Sequence, residues 1–232
     1  MLRAGFAPVS WSLPRDRAQM DAALASDSAA LAAAACSEPE PEPEQELGRN
    51  VGGVVPAGKP KIYIVKPALG LQGIGIELST EPEQTTMAME NGKGVVQHYV
   101  DPPMLIDGMK FDLRLYVFVL SVDPLKIYLY DDGLARLCTT EYQPPTAKNL
   151  HKTKMHLTNF SLNKKSKKFV KGSMGSKRSM GGAFDYMAEQ GFDVDEIWTN
   201  VVDLVVKTVL AVQPQLSAAY LLLSKSPQNH RN

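Results

Sequence analysis

Residues 94–137 constrain the fold more than any other part of the chain, because charged and apolar residues alternate along much of this stretch. Taken as a strand, residues 110–120 have an apolar face and an opposite face that carries Lys110, Asp112, Arg114 and Tyr116. Two interpretations of the charged face stay open. It is either a solvated outer face with a cross-strand ion pair, or one wall of a cleft that holds phosphate.

Composition narrows the class of protein only a little. The 232 residues allow one large domain or two small ones, and 25 Lys plus Arg balance 25 Asp plus Glu. Two cysteines exclude a disulfide framework and a Cys-rich metal site. No uninterrupted apolar run approaches the ~18–20 residues that a membrane span needs, so no membrane partner is expected.

The basic residues are concentrated in one part of the chain. Residues 143–184 contain Lys and Arg but no acid. Such a run is either ordinary solvated surface or the binding site of an acidic partner, and its one-signed charge favours the partner. Nucleic acid is not expected, because aromatic side chains that could stack on bases are sparse there.

The chain is predicted to contain three segments. Residues 1–60 are expected to be a low-complexity, disordered tail and linker, because an Ala/Ser tract leads into a Glu-Pro repeat that forbids helix. Residues 61–212 are expected to form the folded domain. Residues 213–232 are expected to be an irregular tail, because Pro214 stops or kinks the helix that begins near Asp193.

A glycine-rich turn follows the first strand of the predicted domain. Residues 61–65 lead to Lys66 at the strand end, and Gly70, Gly73 and Gly75 come next. Glycine lets backbone N–H groups approach an anion closely, and the lysine can reach the same phosphates. Ordinary turns also use glycine, and neither GxGxxG nor GxxxxGK[ST] is present. Alone, the turn indicates nucleotide binding only weakly.

Two later segments complete the pattern. The Asp-Asp-Gly sequence at residues 131–133 predicts a hairpin in which residues 134–138 pair back on residues 126–130. This pairing would add Arg136 to the charged face. The segment MHLTNFSLNKK, residues 155–165, lies within the basic stretch and has no regular periodicity.

Four motifs occur in order: KPALGLQGIGI, QHYVDPPMLIDGMKFDLRLYV, DPLKIYLYDDGLAR and MHLTNFSLNKK. Together they resemble the tubulin tyrosine ligase-like family, in particular its polyglutamylase members, over about residues 61–209. The resemblance implies an α+β, ATP-grasp-like fold of antiparallel sheets with packed helices, incomplete at both ends. It also implies a ligase that uses ATP and Mg²⁺ to add glutamate to glutamate side chains of tubulin through an acyl phosphate. A monomer acting on the cytoplasmic cytoskeleton, cilium or basal body is expected.

The same resemblance implies nucleotide contacts for three groups of residues. The first is the phosphate loop with its lysine: Lys66, Gln72, Gly73, Ile74 and Gly75. The second is the adenine hinge: Gln97, His98, Tyr99 and Val100. The third contacts the ribose, the phosphates or other parts of ATP: Lys110, Phe111, Asp112, Thr158 and Asn159.

Catalytic and substrate roles are implied as well. The catalytic residues would be Lys110, Arg114 and Arg136. Arg114 would stabilise the transferring phosphoryl group, and the guanidinium fork of Arg136 would bind the carboxylate of the incoming amino acid. The amino-acid site would also contain Phe160, Ser176 and Lys177. Family members usually carry Tyr where Phe160 stands.

The family's magnesium ligands, an Asp in an apolar strand and a Glu-x-Asn, have no counterpart after residue 209. No metal ligand is therefore predicted, and an incomplete family member is expected: a truncated gene model, a splice form or a pseudoenzyme. Three alternatives to an active polyglutamylase stay open. They are ligation of glycine or tyrosine, an inactive module that binds microtubules through its basic stretch, and a chain that does not fold stably because a sheet edge is uncovered.

Overall fold

A computed structural model describes residues 10–13, 15–35, 61–87, 93–172 and 174–224. The chain divides into two units: the first comprises Met1–Lys110 and Cys138–Phe169, the second Phe111–Leu137 and Val170–Asn232. Both contain helices and antiparallel strands, so the predicted α+β class is confirmed. The ATP-grasp arrangement itself stays a prediction.

The first unit is built on an antiparallel sheet of four strands in the order β1 (Ser10–Leu13), β4 (Gly94–His98), β2 (Tyr63–Pro67), β3 (Glu77–Ser79). Alternation along β2 points Tyr63 and Val65 to one face, where they pack with Val96 of β4. The opposite face packs against a second cluster that contains Leu78, Tyr99 and Leu157. The sheet is therefore buried on both sides.

Helix α1 (Arg17–Ala35) covers the first of these faces with Met20 and Leu24, which are 0% and 7% exposed. The predicted disordered tail is therefore wrong for Ser10–Leu13 and Arg17–Ala35. Alanine is the strongest helix former, and two large apolar side chains one turn apart are enough to hold the helix on the sheet. The Glu-Pro repeat lies outside the described residues.

The first unit also holds a tight hairpin between β5 (Leu105–Ile106) and the start of β6 (Met109–Arg114). Its turn residues Asp107 and Gly108 both have positive φ, +50° and +70°, as a type I′ turn requires. The described residues of this unit also form three short helices: α2 (Pro82–Met87), α3 (Thr153–His156) and α4 (Phe160–Asn163).

In the second unit, the rest of β6 pairs antiparallel with β9 (Leu134–Leu137), which pairs in turn with β10 (Lys177–Ser179). A separate two-stranded hairpin consists of β7 (Val117–Val122) and β8 (Leu125–Leu129). Strand β10 leads into α5 (Met180–Glu189), whose N-cap Ser179 accepts a hydrogen bond from the N–H of Gly182 at 3.1 Å.

Two strand predictions are wrong in this region. The predicted strand at 110–120 ends at Arg114, and Val117 and Val119, on the apolar face of that strand, are each 38% exposed. Residues 134–138 do not pair back on residues 126–130, because β9 pairs with β6 and β10. Glycine is required at position 133 because the backbone of Arg114 comes close to it: a Cβ there would lie 2.4 Å from the Arg114 carbonyl oxygen. A positive φ is not the reason.

Helix α6 (Val194–Ser224) begins at an Asp193 carboxylate that accepts the N–H of Glu196, the predicted N-terminal cap. The predicted irregular tail from residue 213 is wrong as far as Ser224, because the helix continues through Pro214. Proline removes a single backbone hydrogen bond, and the Leu- and Ala-rich residues that follow are strong helix formers. Gln213 Nε2 donates to the carbonyl oxygen of Val122 at 3.0 Å. Residues 225–232 lie outside the described residues.

Much of α6 is apolar and exposed, including Val202, Leu204, Val206, Leu210, Val212, Leu216, Leu222 and Leu223. Within the described residues, Val194–Leu223 is long and apolar enough to cross a membrane by length and composition alone. The search for uninterrupted apolar runs misses it because Asp203 and Lys207 interrupt the sequence. Core helices of water-soluble proteins meet the same two criteria, so the helix alone does not indicate a membrane protein.

Candidate functional site

The first unit places Lys66 at the end of β2 and turns its side chain toward β4. Its Nζ donates to Gln97 Oε1 at 2.7 Å, and Gln97 Nε2 donates to Ser10 Oγ at 2.9 Å. Burial lowers the pKa of Lys66 below its usual value, because desolvation disfavours the ammonium. Two of the residues predicted to bind nucleotide, Lys66 and Gln97, are thus in direct contact. The ammonium of Lys66 is half-buried.

The predicted phosphate loop is held against helix α4. Gln72, Gly73 and Gly75 all have positive φ, and Ser161 Oγ donates to the carbonyl oxygen of Gln72 at 2.7 Å. A Cβ on Gly73 would lie 2.9 Å from the side chain of Asn159. The fold therefore brings together the glycine loop and the Thr-Asn pair, which are far apart in sequence.

Alanine at Gly73 is expected to destabilise the first unit by more than the ~1–2 kcal/mol that left-handed φ alone costs. The added Cβ would force Asn159 and Leu162 to move. Gly108→Ala is the matched control, because φ is also positive and the nearest atom is 3.5 Å away. Urea unfolding of both variants, followed by far-ultraviolet circular dichroism, measures the difference. Equal losses would show that Gly73 is not packed against α4.

The other residues of the predicted hinge and phosphate loop also lie in the first unit. Val100 and Ile74 are exposed, at 55% and 69%. The His98 ring lies edge-on to Tyr63, with ring centroids 5.3 Å apart. Thr158 and Asn159 are half-buried, and the preceding Leu157 is buried. Their contacts with adenine stay a prediction.

The phenol of Tyr99 points inward, where it meets Lys110, a predicted site residue, and His156, which the sequence analysis did not select. Tyr99 OH lies 2.8 Å from Lys110 Nζ and 3.0 Å from Nδ1 of His156, and His156 Nε2 lies 3.2 Å from the carbonyl oxygen of Asn149. We call these four residues the Tyr99 network. Tyr142 packs edge-on against His156 and donates a hydrogen bond to Asp101.

A second buried group fixes α4. Asn163, 1% exposed, accepts hydrogen bonds from the N–H and the hydroxyl of Thr139, both at 2.9 Å. Its amide donates to the carbonyl oxygens of Leu157 and Asn159, at 2.8 Å and 3.1 Å. The sequence reading did not identify Asn163, although it lies within MHLTNFSLNKK. Its effect is to hold the backbone of the Thr158–Asn159 segment.

In the second unit, strand register aligns three charged residues across the sheet. Asp112 on β6 is opposite Arg136 on β9, which is opposite Lys177 on β10. Arg136 donates to Asp112 through Nε at 2.9 Å and Nη2 at 2.5 Å. These hydrogen bonds raise the pKa of Arg136. In this structure the guanidinium fork of Arg136 therefore binds the carboxylate of Asp112, and its contact with an incoming amino acid stays a prediction.

The remaining predicted residues are partly exposed. The Arg114 guanidinium lies 5.7 Å from the centre of the Tyr116 ring, and Phe111 is half-buried on the opposite face of β6. The carbonyl of Ser176 accepts the N–H of Leu137, and its hydroxyl accepts the N–H of Val170. Separately, in the first unit, Phe160 stacks edge-on with Phe169 and is 44% exposed.

The basic stretch is mostly solvent-facing in each unit. In the first unit we define the basic segment as the exposed residues Lys148, Lys152, Lys164, Lys165, Lys167 and Lys168. Arg178 of the second unit differs, because it is 5% exposed and donates from Nε to the carbonyl oxygen of Gly175. Its role is structural. Among the described residues, no cluster of three or more His, Cys, Asp or Glu side chains could hold a metal ion.

Comparison with known proteins identifies the family. A model described as the tubulin-tyrosine ligase family matches residues 3–231. The chain belongs to this family, and the predicted resemblance is confirmed.

Similar curated proteins include tubulin polyglutamylases. Human TTLL11 (Homo sapiens) is 45% identical over 170 residues, covering 71% of this chain and 24% of the relative. Zebrafish ttll6 (Danio rerio) is 40% identical over 166 residues, which cover 71% of this chain and 21% of the relative. TTLL7 of Xenopus tropicalis is 39% identical over 165 residues, which cover 70% of this chain and 18% of the relative. The chain spans about a quarter or less of these relatives' length.

Proposed function

We propose that this chain belongs to an ATP-dependent ligase that adds glutamate to glutamate side chains of tubulin tails. The observation that carries the proposal is the close approach to Asn159 of the positive-φ glycine loop, which follows the half-buried Lys66 in the sequence. Backbone N–H groups in such a loop and a nearby ammonium are the usual ligands of nucleotide phosphates. The names of the relatives supply the protein substrate.

The proposed reaction has two balanced steps. The carboxylate of a tubulin glutamate attacks the γ-phosphorus of ATP, the bond to the bridging oxygen breaks, and an acyl phosphate and ADP result. The amine of free glutamate then attacks the acyl carbon, phosphate leaves, and the amine loses a proton as the isopeptide bond forms. Both steps bring anions together, so Lys66, Lys110 and Arg114 would supply compensating positive charge.

The row of charges in the second unit fits the free amino acid. Arg136 and Lys177 offer two cations on adjacent strands, and Asp112 engages Nε and Nη2 of Arg136. An incoming carboxylate would bind the N–H groups of Arg136 that do not contact Asp112, or it would displace Asp112 from the guanidinium. Glycine and tyrosine carry the same α-carboxylate, so this site does not choose between glutamate, glycine and tyrosine.

Magnesium normally accompanies ATP, but the described residues contain no carboxylate cluster that fits it. No step of the proposed mechanism is therefore assigned to the metal. The proposed site of action is the cytoplasmic microtubule cytoskeleton, including that of cilia.

The activity test is incorporation of labelled glutamate into tubulin by the purified chain with ATP and Mg²⁺. Labelling that disappears in Arg136→Gln and is outcompeted by unlabelled glutamate, but not by glycine or tyrosine, is the expected result. If tubulin stays unlabelled while a known polyglutamylase labels it, this chain does not have the proposed activity. Preferential labelling with glycine or tyrosine would assign a different donor.

A second proposed function is microtubule binding without catalysis. The observation that favours it is the basic segment, whose six exposed lysines lie within residues 148–168, a stretch without an acid. Tubulin tails rich in glutamate are acidic partners of matching chemistry.

Charge reversal in the basic segment is expected to weaken co-sedimentation with microtubules about tenfold near 0.1 M salt, where such contacts act over about 10 Å. The variant is Lys164→Glu with Lys165→Glu. Its control, Lys93→Glu with Lys126→Glu, changes the net charge equally at exposed lysines elsewhere. Equal weakening by both variants, or binding that ignores salt, would exclude a role for the basic segment.

A further inference from the structure

We propose that Tyr99 and His156 are positioning residues that hold the Lys110 ammonium in place for a nucleotide phosphate. This inference rests on the proposed function, because it assigns Lys110 to ATP. Tyr99 was predicted to meet adenine and His156 was assigned no role. In the first unit, Lys110, Tyr99 and His156 form one continuous chain of hydrogen bonds.

The direction of every hydrogen bond in the Tyr99 network follows from the chemistry of its ends. An ammonium can only donate, so the Tyr99 oxygen accepts from Lys110. The backbone carbonyl of Asn149 can only accept, so His156 Nε2 carries the proton. In a neutral imidazole Nδ1 is then a bare acceptor, and the Tyr99 hydroxyl donates to it. All donors point from Lys110 toward Asn149.

The surroundings keep His156 neutral. His156 is 1% exposed, and burial, with the nearby Lys110 charge, lowers its pKa below the usual value. The rings of Tyr99 and Tyr142 meet it edge-on, with centroids 5.6 Å and 6.4 Å away. A neutral imidazole is the form that can accept the Tyr99 proton, so burial sustains the arrangement.

The far end of the network is rigid as well. The Asn149 side chain donates to the carbonyl oxygen of Pro144 at 2.9 Å and accepts the N–H of Thr146 at 2.8 Å. The carbonyl that anchors His156 therefore belongs to a closed turn. Because this end is fixed, the Tyr99 hydroxyl has a defined place, and Lys110 is held relative to the fold.

The near end of the network is a long side chain that would otherwise occupy many rotamers. Besides its contact with the hydroxyl, Lys110 Nζ lies 3.9 Å from the centre of the Tyr99 ring, a cation–π distance. Both contacts favour one direction for the ammonium before any ligand binds. Preorganised charge of this kind is more effective than mobile charge.

The test compares two tyrosines, buried Tyr99 and half-buried Tyr142, that flank the same histidine. Tyr99→Phe removes the hydroxyl that contacts Lys110, and Tyr142→Phe removes one that donates to Asp101. Titration with fluorescent trinitrophenyl-ATP is expected to show a Kd raised about tenfold for Tyr99→Phe, the size of one lost hydrogen bond to a charged group. Tyr142→Phe is expected to leave Kd within about twofold.

A double-mutant cycle separates positioning from general stability. In a Lys110→Met background, Tyr99→Phe is expected to have no further effect on Kd, because the hydroxyl acts only through the ammonium. His156→Gln, which keeps an acceptor and a donor, is expected to bind more tightly than His156→Leu.

Two outcomes would overturn the inference on its own: equal Kd values for the two tyrosine variants, or independent effects of Tyr99→Phe and Lys110→Met. Absence of nucleotide binding by the unaltered chain would instead overturn the proposed function, and the role of Lys110 with it.

Discussion

Replacing Lys66 with methionine is expected to weaken ATP binding by about 10- to 100-fold, because a hydrogen bond to a charged group contributes about 1.5–3 kcal/mol. Methionine keeps the length of the side chain and removes its charge and its contact with Gln97 Oε1. Fluorescent-nucleotide titration measures the change. The control is Lys93→Met, an exposed lysine immediately before β4. Equal losses would mean that Lys66 has no special role.

The pH dependence of ATP binding provides a second test of the role of Lys66. Burial lowers the pKa of Lys66 from its ordinary 10.5, so as pH rises its positive charge is lost before that of an exposed lysine. ATP affinity of the unaltered chain is therefore expected to fall as pH rises toward 10.5. Lys66→Met should lack this part of the decline, while Lys93→Met should retain it. An identical pH profile for all three proteins would contradict the assignment.

Local chemistry in the sequence predicted where the glycine-rich turn lies. Glycines after a strand-terminal lysine predicted a turn, and residues 71–75 form one, with positive φ at Gly73 and Gly75. Alternation also placed Lys110 and Asp112 on the same face of a strand, and both lie on β6. These features depend on neighbouring residues, which is why a single sequence is sufficient to find them.

Pairings between distant strands were not predictable in the same way. Asp-Asp-Gly before β9 indicated a hairpin, yet Asp107-Gly108 forms the type I′ turn. The two Asp-Gly sequences are equally good turn formers, and only the partner that each strand meets in three dimensions distinguishes them. Consequently Arg136 lies opposite Asp112 because β9 pairs with β6, a contact that no local pattern contains.

The buried polar residues were also missed for a physical reason. His156 lies between Met155 and Leu157, and both neighbours are buried, so its context was more apolar than that of a surface histidine. Asn163 stands in a lysine-rich segment that reads as solvated surface. In each case the partners, Tyr99 and Thr139, are more than 20 residues away. Hydrogen bonds over such separations become visible only in the folded chain.

The largest loss of stability is expected for Asn163→Ala, at about 3–5 kcal/mol, because each buried group left without a partner costs about 1–3 kcal/mol. The substitution removes the acceptor of both Thr139 donors and the donor to the carbonyl oxygen of Leu157. Urea unfolding, followed by far-ultraviolet circular dichroism, measures the free energy of unfolding.

Ser161→Ala is the matched control for Asn163→Ala, because it lies on the same helix and loses one hydrogen bond, to the carbonyl oxygen of Gln72. Its expected cost is about 0.5–1.5 kcal/mol. Asn163 also holds the carbonyl oxygen of Asn159, which lies against Gly73, so Asn163→Ala should weaken nucleotide binding even where the protein stays folded. Unchanged nucleotide affinity in folded Asn163→Ala would mean that the Asn163 hydrogen bonds do not affect the phosphate loop. Equal free energies of unfolding for Asn163→Ala and Ser161→Ala would contradict the proposed contribution of the Asn163 hydrogen bonds to stability.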